Sequence, residues 1–203
     1  MTKDTGPTLD TQLWKPRSVA ETRALYSGWA KDYDADVTGA GYETPARLAA
    51  ALAAESADLT APILDFGCGT GLSGKALAAA GFTTIDGTDI TPEMVAQARA
   101  LGLYRELTVS EPGTAPPAGY AAITATGVVS LGAAPPDTLD TLLGALAPGG
   151  VLAFSYNDAT LADPRYMQAL EGAKARADLL SEAYGPHLAA KDMGSTVYVL
   201  RKR

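Results

Sequence analysis

The chain has 203 residues, of which 47% are hydrophobic and 19% charged, and its formal net charge is −7. This length and apolar fraction predict a single folded domain with a hydrophobic core and exclude a chain that is disordered throughout. The negative charge argues against a broad nucleic-acid or anionic-membrane surface, because both require clustered Lys and Arg. One Cys and one His exclude an intramolecular disulfide, a multi-Cys zinc cage and a His-rich metal site.

Two segments bear on where the protein resides. The N-terminal residues contain no apolar run of the kind found in signal peptides. The uncharged stretch 114–136 is long enough to cross a bilayer, but it contains four Pro and three Gly. It therefore predicts a loop, a buried strand and a second loop, since a spanning helix needs about 20 predominantly apolar residues. We expect a cytoplasmic protein with no membrane partner.

The N-terminal third predicts a loose arm followed by helices. Residues 1–17 are polar and form the arm, and Ser18 caps a helix that runs to about Tyr33. Thr44 is the expected N-cap of a second helix, with Pro45 at its first position. We assign residues 1–58 to the arm and the N-terminal helices, and residues 59–203 to the main domain of a single structural unit.

From residue 63 onward, short apolar runs alternate with helical ones. The predicted strands are 63–66, 83–87, 107–109, 121–125 and 151–156. The predicted helices are 72–80, 91–100 and 137–147, with a helix at 164–175 and closing strands at 179–184 and 196–201. Strands that alternate with helices of about ten residues indicate βαβ units and a parallel sheet.

The chemistry is concentrated in the segment ILDFGCGTGLSGKAL, residues 63–77. A buried strand leads into a glycine-rich loop, and a helix follows at once. Glycines allow a sharp turn and a close approach to a ligand, and the helix N-terminus adds free N–H groups. Such a loop can bind either a phosphate or a carboxylate.

Three loop patterns compete for this segment. The dinucleotide fingerprint G-x-G-x-x-G fails if it starts at Gly67, because Leu72 occupies the last glycine position, and fits only from Gly69, two residues further from the strand. The phosphate loop G-x-x-x-x-G-K-[ST] fails at Ala76, where a hydroxyl should hold Mg²⁺. The third pattern, an acid two residues before G-x-G-x-G, is complete.

The complete pattern consists of Asp65, Gly67, Gly69 and Gly71. The segment LDFGCGTG closely resembles motif I of class I S-adenosylmethionine-dependent methyltransferases. The resemblance implies an α/β, Rossmann-like fold with a mostly parallel seven-stranded sheet, helices on both faces and an antiparallel last strand. It also implies S-adenosylmethionine as the cofactor, with Asp65, Gly67, Cys68 and Gly69 at its methionine part.

Asp89 lies about twenty residues after the loop, in IDGTDIT, just past the expected end of the second strand. An acid in this place can accept hydrogen bonds from both ribose hydroxyls, as in other doubly wound folds. The resemblance implies that Ile90 lies against the adenine. The alternative for Asp89 is a cap of the following helix, although Thr91 is also available for that role.

Further correspondences complete the implied pocket. Ser110 and Glu111 occupy the position after the third strand where the family commonly carries an acid for the adenine amine, although an exposed loop acid is an equal alternative. Thr126, followed by Gly127 after the fourth strand, matches the position whose backbone meets the methionine amino group. The family often starts this strand with Asp, whereas Tyr120 and Ala121 stand here.

The segment W-A-x-x-Y-D, residues 29–34, together with GLYREL at 102–107, resembles the small methyltransferase-like proteins related to the one encoded in the Williams–Beuren region. The resemblance implies that the N-terminal helices cover the cofactor and makes Tyr33 a candidate contact. Tyr33 can equally pack the helices onto the sheet. Residues 18–42 then form either a mobile lid or a permanently docked pair of helices.

No sequence motif identifies a methyl acceptor or a catalytic residue. His187 is the one side chain that titrates near neutral pH, and its GPHLAAK context predicts a surface loop. A short chain without an inserted recognition domain favours a small-molecule substrate and no nucleic-acid partner. Two functions remain: an enzyme that methylates a small molecule, or a catalytically silent protein that senses the cofactor or supports a partner.

Overall fold

A computed structural model describes residues 13–203, so most of the predicted N-terminal arm lies outside the described residues. The helices are α1 (Val19–Trp29), α2 (Tyr33–Gly39), α3 (Thr44–Glu55), α4 (Leu72–Ala79), α5 (Pro92–Ala100), α6 (Thr138–Ala145), α7 (Asp158–Leu161) and α8 (Pro164–Lys174). The strands are β1 (Ile63–Phe66), β2 (Ile85–Asp89), β3 (Glu106–Val109), β4 (Ala122–Ala125), β5 (Val151–Asn157), β6 (Ala177–Leu188) and β7 (Met193–Lys202). A short 3₁₀ helix, Ala189–Lys191, joins β6 to β7.

The seven strands form one sheet in the order β3-β2-β1-β4-β5-β7-β6. β1 to β5 pair in parallel, whereas β7 runs antiparallel to both β5 and β6. This confirms the predicted Rossmann-like fold with one antiparallel closing strand. Because the order reverses at β1 and β4, the carboxyl ends of these two strands mark the crevice where ligands bind in such sheets.

Alternating strand residues supply two hydrophobic cores, one on each face of the sheet. Ile63 faces the core that α3 and α4 cover, whereas Leu64 faces the core that α6 and α8 cover. The strands carry near-continuous apolar runs because both faces are buried. Leu48 and Leu52 place α3 in the same core as β1, so this helix is part of the layered domain.

The predicted single helix from Ser18 to about Tyr33 is wrong, because α1 ends at Trp29 and α2 begins at Tyr33. The interruption brings the indole Nε1 of Trp29 to 2.7 Å from a carboxylate oxygen of Asp36. In a straight helix these residues would be about 10 Å apart along the axis. The predicted cap at Ser18 is confirmed, with a reciprocal capping box to Glu21.

Several strand boundaries also differ from the sequence prediction, among them those of β2 and β6. β2 begins at Ile85 rather than residue 83 and ends at Asp89, because its register with β1 pairs Ile63 with Ile85. β6 continues to Leu188 through Gly185 and Pro186, which the sequence predicts to lie beyond the strand. Pro186 is tolerated because β6 is an edge strand with a register shift there.

The predicted loop-strand-loop organisation of residues 114–136 is confirmed, with β4 as its strand. Among residues 13–203, no helix is both long and apolar enough to cross a membrane.

Candidate functional site

The glycine loop between β1 and α4 is fixed to the end of β2 by consecutive backbone groups. The N–H groups of Gly67 and Cys68 donate to the carbonyl of Thr88 at 2.8 and 3.0 Å. The next N–H, that of Gly69, donates at 3.0 Å to a carboxylate oxygen of Asp89. The path of the loop is therefore set by the neighbouring strand.

Gly67 and Gly69 both have positive φ, at +68° and +53°, but their surroundings differ. A Cβ on Gly67 would collide with the side chain of Val128. A Cβ on Gly69 would meet no atom within 4 Å. Gly67 thus allows close internal packing, whereas Gly69 leaves open space at the rim of the loop, where a ligand can lie against the backbone.

Asp65 lies beneath the loop and has no exposed surface. Its carboxylate accepts hydrogen bonds from the hydroxyls of Ser73 at 2.6 Å, Tyr104 at 2.7 Å and Thr124 at 3.0 Å. Burial raises the pKa of Asp65, and these three donors act against that rise. The structure therefore gives Asp65 the geometry of an anchor that joins β1 to α4, β4 and the segment before β3.

Asp89 ends β2 and connects the loop to the start of α5. Besides Gly69, its carboxylate accepts the N–H of Thr91 at 2.8 Å. Thr91 is the N-cap of α5 and makes no capping bond with its own side chain, and Asp89 holds the N–H of Thr91 rather than an N–H of the first helical turn. Each carboxylate oxygen can accept a second hydrogen bond, which leaves capacity for two ligand hydroxyls. Burial raises the pKa of Asp89.

The residues predicted at the adenine end lie beyond β2 and β3. The carbonyl of Ile90 accepts a hydrogen bond from Arg23 Nε of α1 at 2.9 Å. The same guanidinium pairs with Glu111 at 3.3 Å, and the Glu111 side chain is 80% exposed. Ser110 donates its backbone N–H to the carbonyl of Asp89. Ile90, Ser110 and Glu111 therefore lie close together beyond the ends of β2 and β3, and Arg23 contacts both Ile90 and Glu111.

Thr126 follows β4 and carries a polar atom without a partner. Its Oγ1 is buried and has no hydrogen-bond partner among the described residues. A buried hydroxyl without a partner is costly, and such atoms usually have a functional reason. Together with the open space at Gly69 and the spare capacity of Asp89, this hydroxyl fits a ligand that has both hydroxyl and amino-acid groups.

Helix α2 is held against the glycine loop by Asp34. One carboxylate oxygen accepts the hydroxyl of Thr70, and the other lies 3.5 Å from Lys75 Nζ of α4. The loop after α2 is fixed at its far end, because Glu43 N–H donates to the carbonyl of His187 at 3.0 Å. The segment from α2 to Glu43 is therefore attached to the glycine loop and α4 at its start and to β6 at its end.

Residues 18–43, which include α1 and α2, form a cover over this end of the sheet. A cavity of about 50 Å³ lies between the cover and the carboxyl ends of β4 and β5. Aromatic residues of the cover line one side, and their rings contact each other, with Trp29 and Tyr33 edge-to-face at 4.7 Å. Gly127, Asn157 and His187 line the opposite side. The described lining contains no Asp, Glu, Lys or Arg. Burial holds the pKa of Tyr33 well above its usual range, so its hydroxyl stays protonated.

The prediction that His187 lies in a surface loop is wrong. The residue belongs to β6 and is 7% exposed. Its Nδ1 lies 2.8 Å from the hydroxyl of Thr44, which is therefore a buried partner of the histidine rather than a helix cap. Burial lowers the pKa of His187 to about 4. The error follows from Pro186, which ends strands in most sequence contexts.

Cys68 and Tyr156 contribute to packing. Cys68 is 3% exposed, and burial raises the pKa of its thiol, so the thiolate is disfavoured. Tyr156, near the carboxyl end of β5, has its ring among Phe154, Tyr166 and Tyr198 in the core.

Sequence reasoning missed Arg23 and Asp34 as residues that join the cover to the site. Asp34 lies in the W-A-x-x-Y-D segment, so the motif was visible while its contact with Thr70 was not. Tyr104 lies in GLYREL, and its hydroxyl reaches Asp65 from 39 residues away. No local pattern around Arg23 points to Ile90 or Glu111.

Comparison with known proteins gives consistent matches. The methyltransferase-domain family matches residues 40–187. Human methyltransferase-like protein 27 is 34% identical over 172 residues, which cover 81% of this chain and 68% of the human protein. The [4+2]-cyclase SpnF superposes with a TM-score of 0.69 at 18% identity, over 93% of this chain and 97% of SpnF. The N-methyltransferase NodS from Bradyrhizobium japonicum, solved with S-adenosylhomocysteine, superposes with a TM-score of 0.61 at 17% identity, over 79% and 86% of the two chains.

Proposed function

Because the chain belongs to the S-adenosylmethionine-dependent methyltransferase family, we propose that it transfers a methyl group to a small molecule held in the cavity beneath α1 and α2. The observation that carries this proposal is the cavity itself. It is small, lined largely by aromatic and apolar residues, and bounded by Gly127 next to Thr126.

The cofactor would lie along the carboxyl ends of β1, β2 and β4. Its methionine part would lie at the loop of Gly67, Cys68 and Gly69 and at Thr126, and its ribose would lie on Asp89. Ile90, Ser110 and Glu111 would border the adenine. Asp65 would act from beneath, by holding the loop through its hydroxyl partners.

The bound cofactor supplies a methyl group on a positively charged sulfonium, which is already a good leaving group. The chain's own residues then have two tasks: they hold the acceptor in line, and they exclude water. Tyr26, Trp29 and Tyr33 of the cover line the cavity and serve the second task. Tyr33, which also lies near Asp89 and Asp34, is a further candidate cofactor contact.

A small-molecule acceptor is favoured over a macromolecular one by two features. The cavity of about 50 Å³ is bounded by residues of the N-terminal segment as well as of the sheet, including Trp14 and Tyr42. The formal charge of −7 disfavours the phosphate backbone of a nucleic acid.

The test is formation of S-adenosylhomocysteine from S-adenosylmethionine with fractions of a cell extract separated by dialysis. We expect turnover with the dialysable fraction and none with the retained macromolecules. The Asp89→Ala variant is the control, because it should lose cofactor binding. Turnover only with the retained fraction would overturn the small-molecule acceptor, and tight cofactor binding with no turnover in any fraction would support the silent binding protein instead.

A further inference from the structure

Behind the cavity, four side chains from different parts of the chain form a hydrogen-bonded series. His187 Nδ1 lies 2.8 Å from Thr44 Oγ1, which lies 2.9 Å from Ser195 Oγ. Arg47 Nη1 lies 3.0 Å from the same Ser195 oxygen. Thr44 and Ser195 have no exposed surface, so water does not compete for their hydroxyls.

The chemistry of arginine fixes the direction of this series. A guanidinium only donates hydrogen bonds, so Ser195 Oγ accepts from Arg47. The hydroxyl hydrogen of the buried Ser195 has one acceptor among the described residues, which is Thr44 Oγ1. Thr44 therefore accepts from Ser195 and directs its own hydrogen at Nδ1 of His187.

A ring whose Nδ1 accepts a hydrogen bond carries its proton on Nε2 when it is neutral. Burial keeps the ring neutral, because it lowers the pKa of His187 to about 4. Nearby Arg47 acts in the same direction, whereas Asp158 acts against it. His187 lines the cavity, and with Nδ1 engaged, Nε2–H is the group that remains for a ligand.

Asn157 provides a second side chain whose hydrogen-bond donors are left for a ligand. Its Oδ1 accepts the backbone N–H of Thr160 at 3.0 Å and the Thr160 hydroxyl at 2.8 Å. Since a backbone N–H can only donate, the oxygen of the amide is identified and the NH₂ is the other end. Asn157 also lines the cavity, so its two N–H donors are the atoms left for a ligand.

We propose that His187 Nε2–H and the Asn157 amide are a pair of hydrogen-bond donors for the methyl acceptor, which therefore binds through a carbonyl or carboxylate oxygen. His187 acts as a positioning residue and not as a general base. The proposal rests on the proposed function, because it names the chemical class of that acceptor. A cationic acceptor would find no carboxylate among the described lining residues.

The histidine can be tested directly, because the chain contains a single His. In ¹⁵N-histidine-labelled protein at pH 7, two-bond couplings to the ring protons distinguish a protonated Nε2 from a protonated Nδ1. We expect the Nε2–H form alone, retained in Thr44→Ser and mixed with the other tautomer in Thr44→Val. A protonated Nδ1, or the charged ring at pH 7, would overturn the assignment.

The acceptor class can be tested with two small planar fragments of similar shape, acetate and acetamidinium, which suit a cavity of about 50 Å³, in the presence of saturating S-adenosylhomocysteine. We expect acetate to bind at least tenfold more tightly and to shift the His187 Nε2 resonance. In Asn157→Asp, which replaces donors with an acceptor, the preference should fall or reverse. Equal binding of both fragments, binding of neither, or an unchanged preference in the variant would overturn the proposal. S-adenosylhomocysteine binding in the same samples shows separately whether the proposed function fails.

Discussion

The backbone N–H of Gly69 donates a hydrogen bond of 3.0 Å to the carboxylate of Asp89, twenty residues further along the chain. This bond joins the glycine loop after β1 to the end of β2. The carboxylate also accepts the N–H of Thr91, so one side chain sets both the loop and the start of α5. The proposed cofactor site is therefore largely preformed by contacts within the protein.

Replacement of Asp89 by Ala should weaken S-adenosylhomocysteine binding by about 2 to 4 kcal/mol, the sum of two charge-assisted bonds to ribose hydroxyls. The loss corresponds to roughly 30- to 700-fold in Kd, and calorimetry measures it. Asp89→Asn is a second variant: it keeps one oxygen, but its NH₂ would face the backbone N–H of Gly69 or Thr91, so it should weaken binding as well. Wild-type affinity in Asp89→Ala would restrict this residue to its internal contacts with Gly69 and Thr91.

Alanine at Gly69 and at Gly67 should have different effects. Gly69→Ala places a methyl in open space at the loop rim and should lower cofactor affinity, with a stability loss of about 1 kcal/mol from its positive φ. Gly67→Ala should lower the free energy of unfolding, because its methyl group would collide with the side chain of Val128. Urea unfolding and calorimetry separate the two effects. Unchanged affinity in a folded Gly69→Ala protein would place the ligand elsewhere.

Thr126→Val tests the buried hydroxyl without a partner. Valine has nearly the same shape, so the free protein should be as stable as the wild type or more stable, since an unsatisfied buried group is removed. Cofactor binding should weaken by about 1 kcal/mol, one hydrogen bond. The control is Tyr156→Phe, which removes another buried hydroxyl that has no partner among the described residues, within the aromatic core, and should leave binding unchanged. A stability loss in Thr126→Val without a change in affinity would contradict this role.

Hydrogen exchange with and without S-adenosylhomocysteine tests the predicted lid. We expect residues 18–39 to exchange faster than the sheet in the free protein and to slow when ligand binds. The amide of Glu43 should be protected throughout, because its N–H donates to the carbonyl of His187, and so should the amides of Ala189 and Ala190, which donate to the carbonyls of Gly41 and Ala40. Asp34→Asn should accelerate exchange in α2 by weakening the contacts to Thr70 and Lys75, whereas Asp32→Asn, an exposed acid nearby, should not. Strong protection of 18–39 that ligand does not change would identify a permanently docked cover.

Acid should destabilise the protein through His187. Its pKa is about 4 in the folded state against 6.5 for the free side chain. The unfolded chain therefore binds more protons between these values, so stability is lost as the pH falls from 6.5 to 4. The loss is about 3 kcal/mol.

Asp65 and Asp89 act in the opposite direction, because burial raises their pKa values and protonation then favours the folded state. The effect of His187 is therefore measured as a difference between two proteins. Urea unfolding gives the free energy of unfolding of the wild type and of His187→Gln at pH 7 and at pH 4. The wild type should lose about 3 kcal/mol more than the variant between these two pH values. Equal losses would mean that His187 titrates normally in the folded protein.

The sequence by itself determined the layered fold and gave the outline of the proposed cofactor site. Alternating apolar strands and helices of about ten residues are local patterns, and they predicted β1, α4, α5 and β5 closely. The spacing of Asp65 and the glycines is also local. Where the sequence failed, a local signal was overruled by pairing across the sheet, as in the continuation of β6 through Pro186.

Tertiary structure alone decided which distant side chains meet in and around the candidate site. Thr44 and His187 are 143 residues apart, and each belongs to a different local pattern, a helix start and an apparent loop. Asp34 meets Thr70 across 36 residues, and Arg23 meets Glu111 across 88. Local spacing does not encode such pairs, because their distance depends on how the sheet order and the helix layers bring the segments together. His187 and Asn157, the donors on which the proposed acceptor class rests, come together only when the sheet is complete.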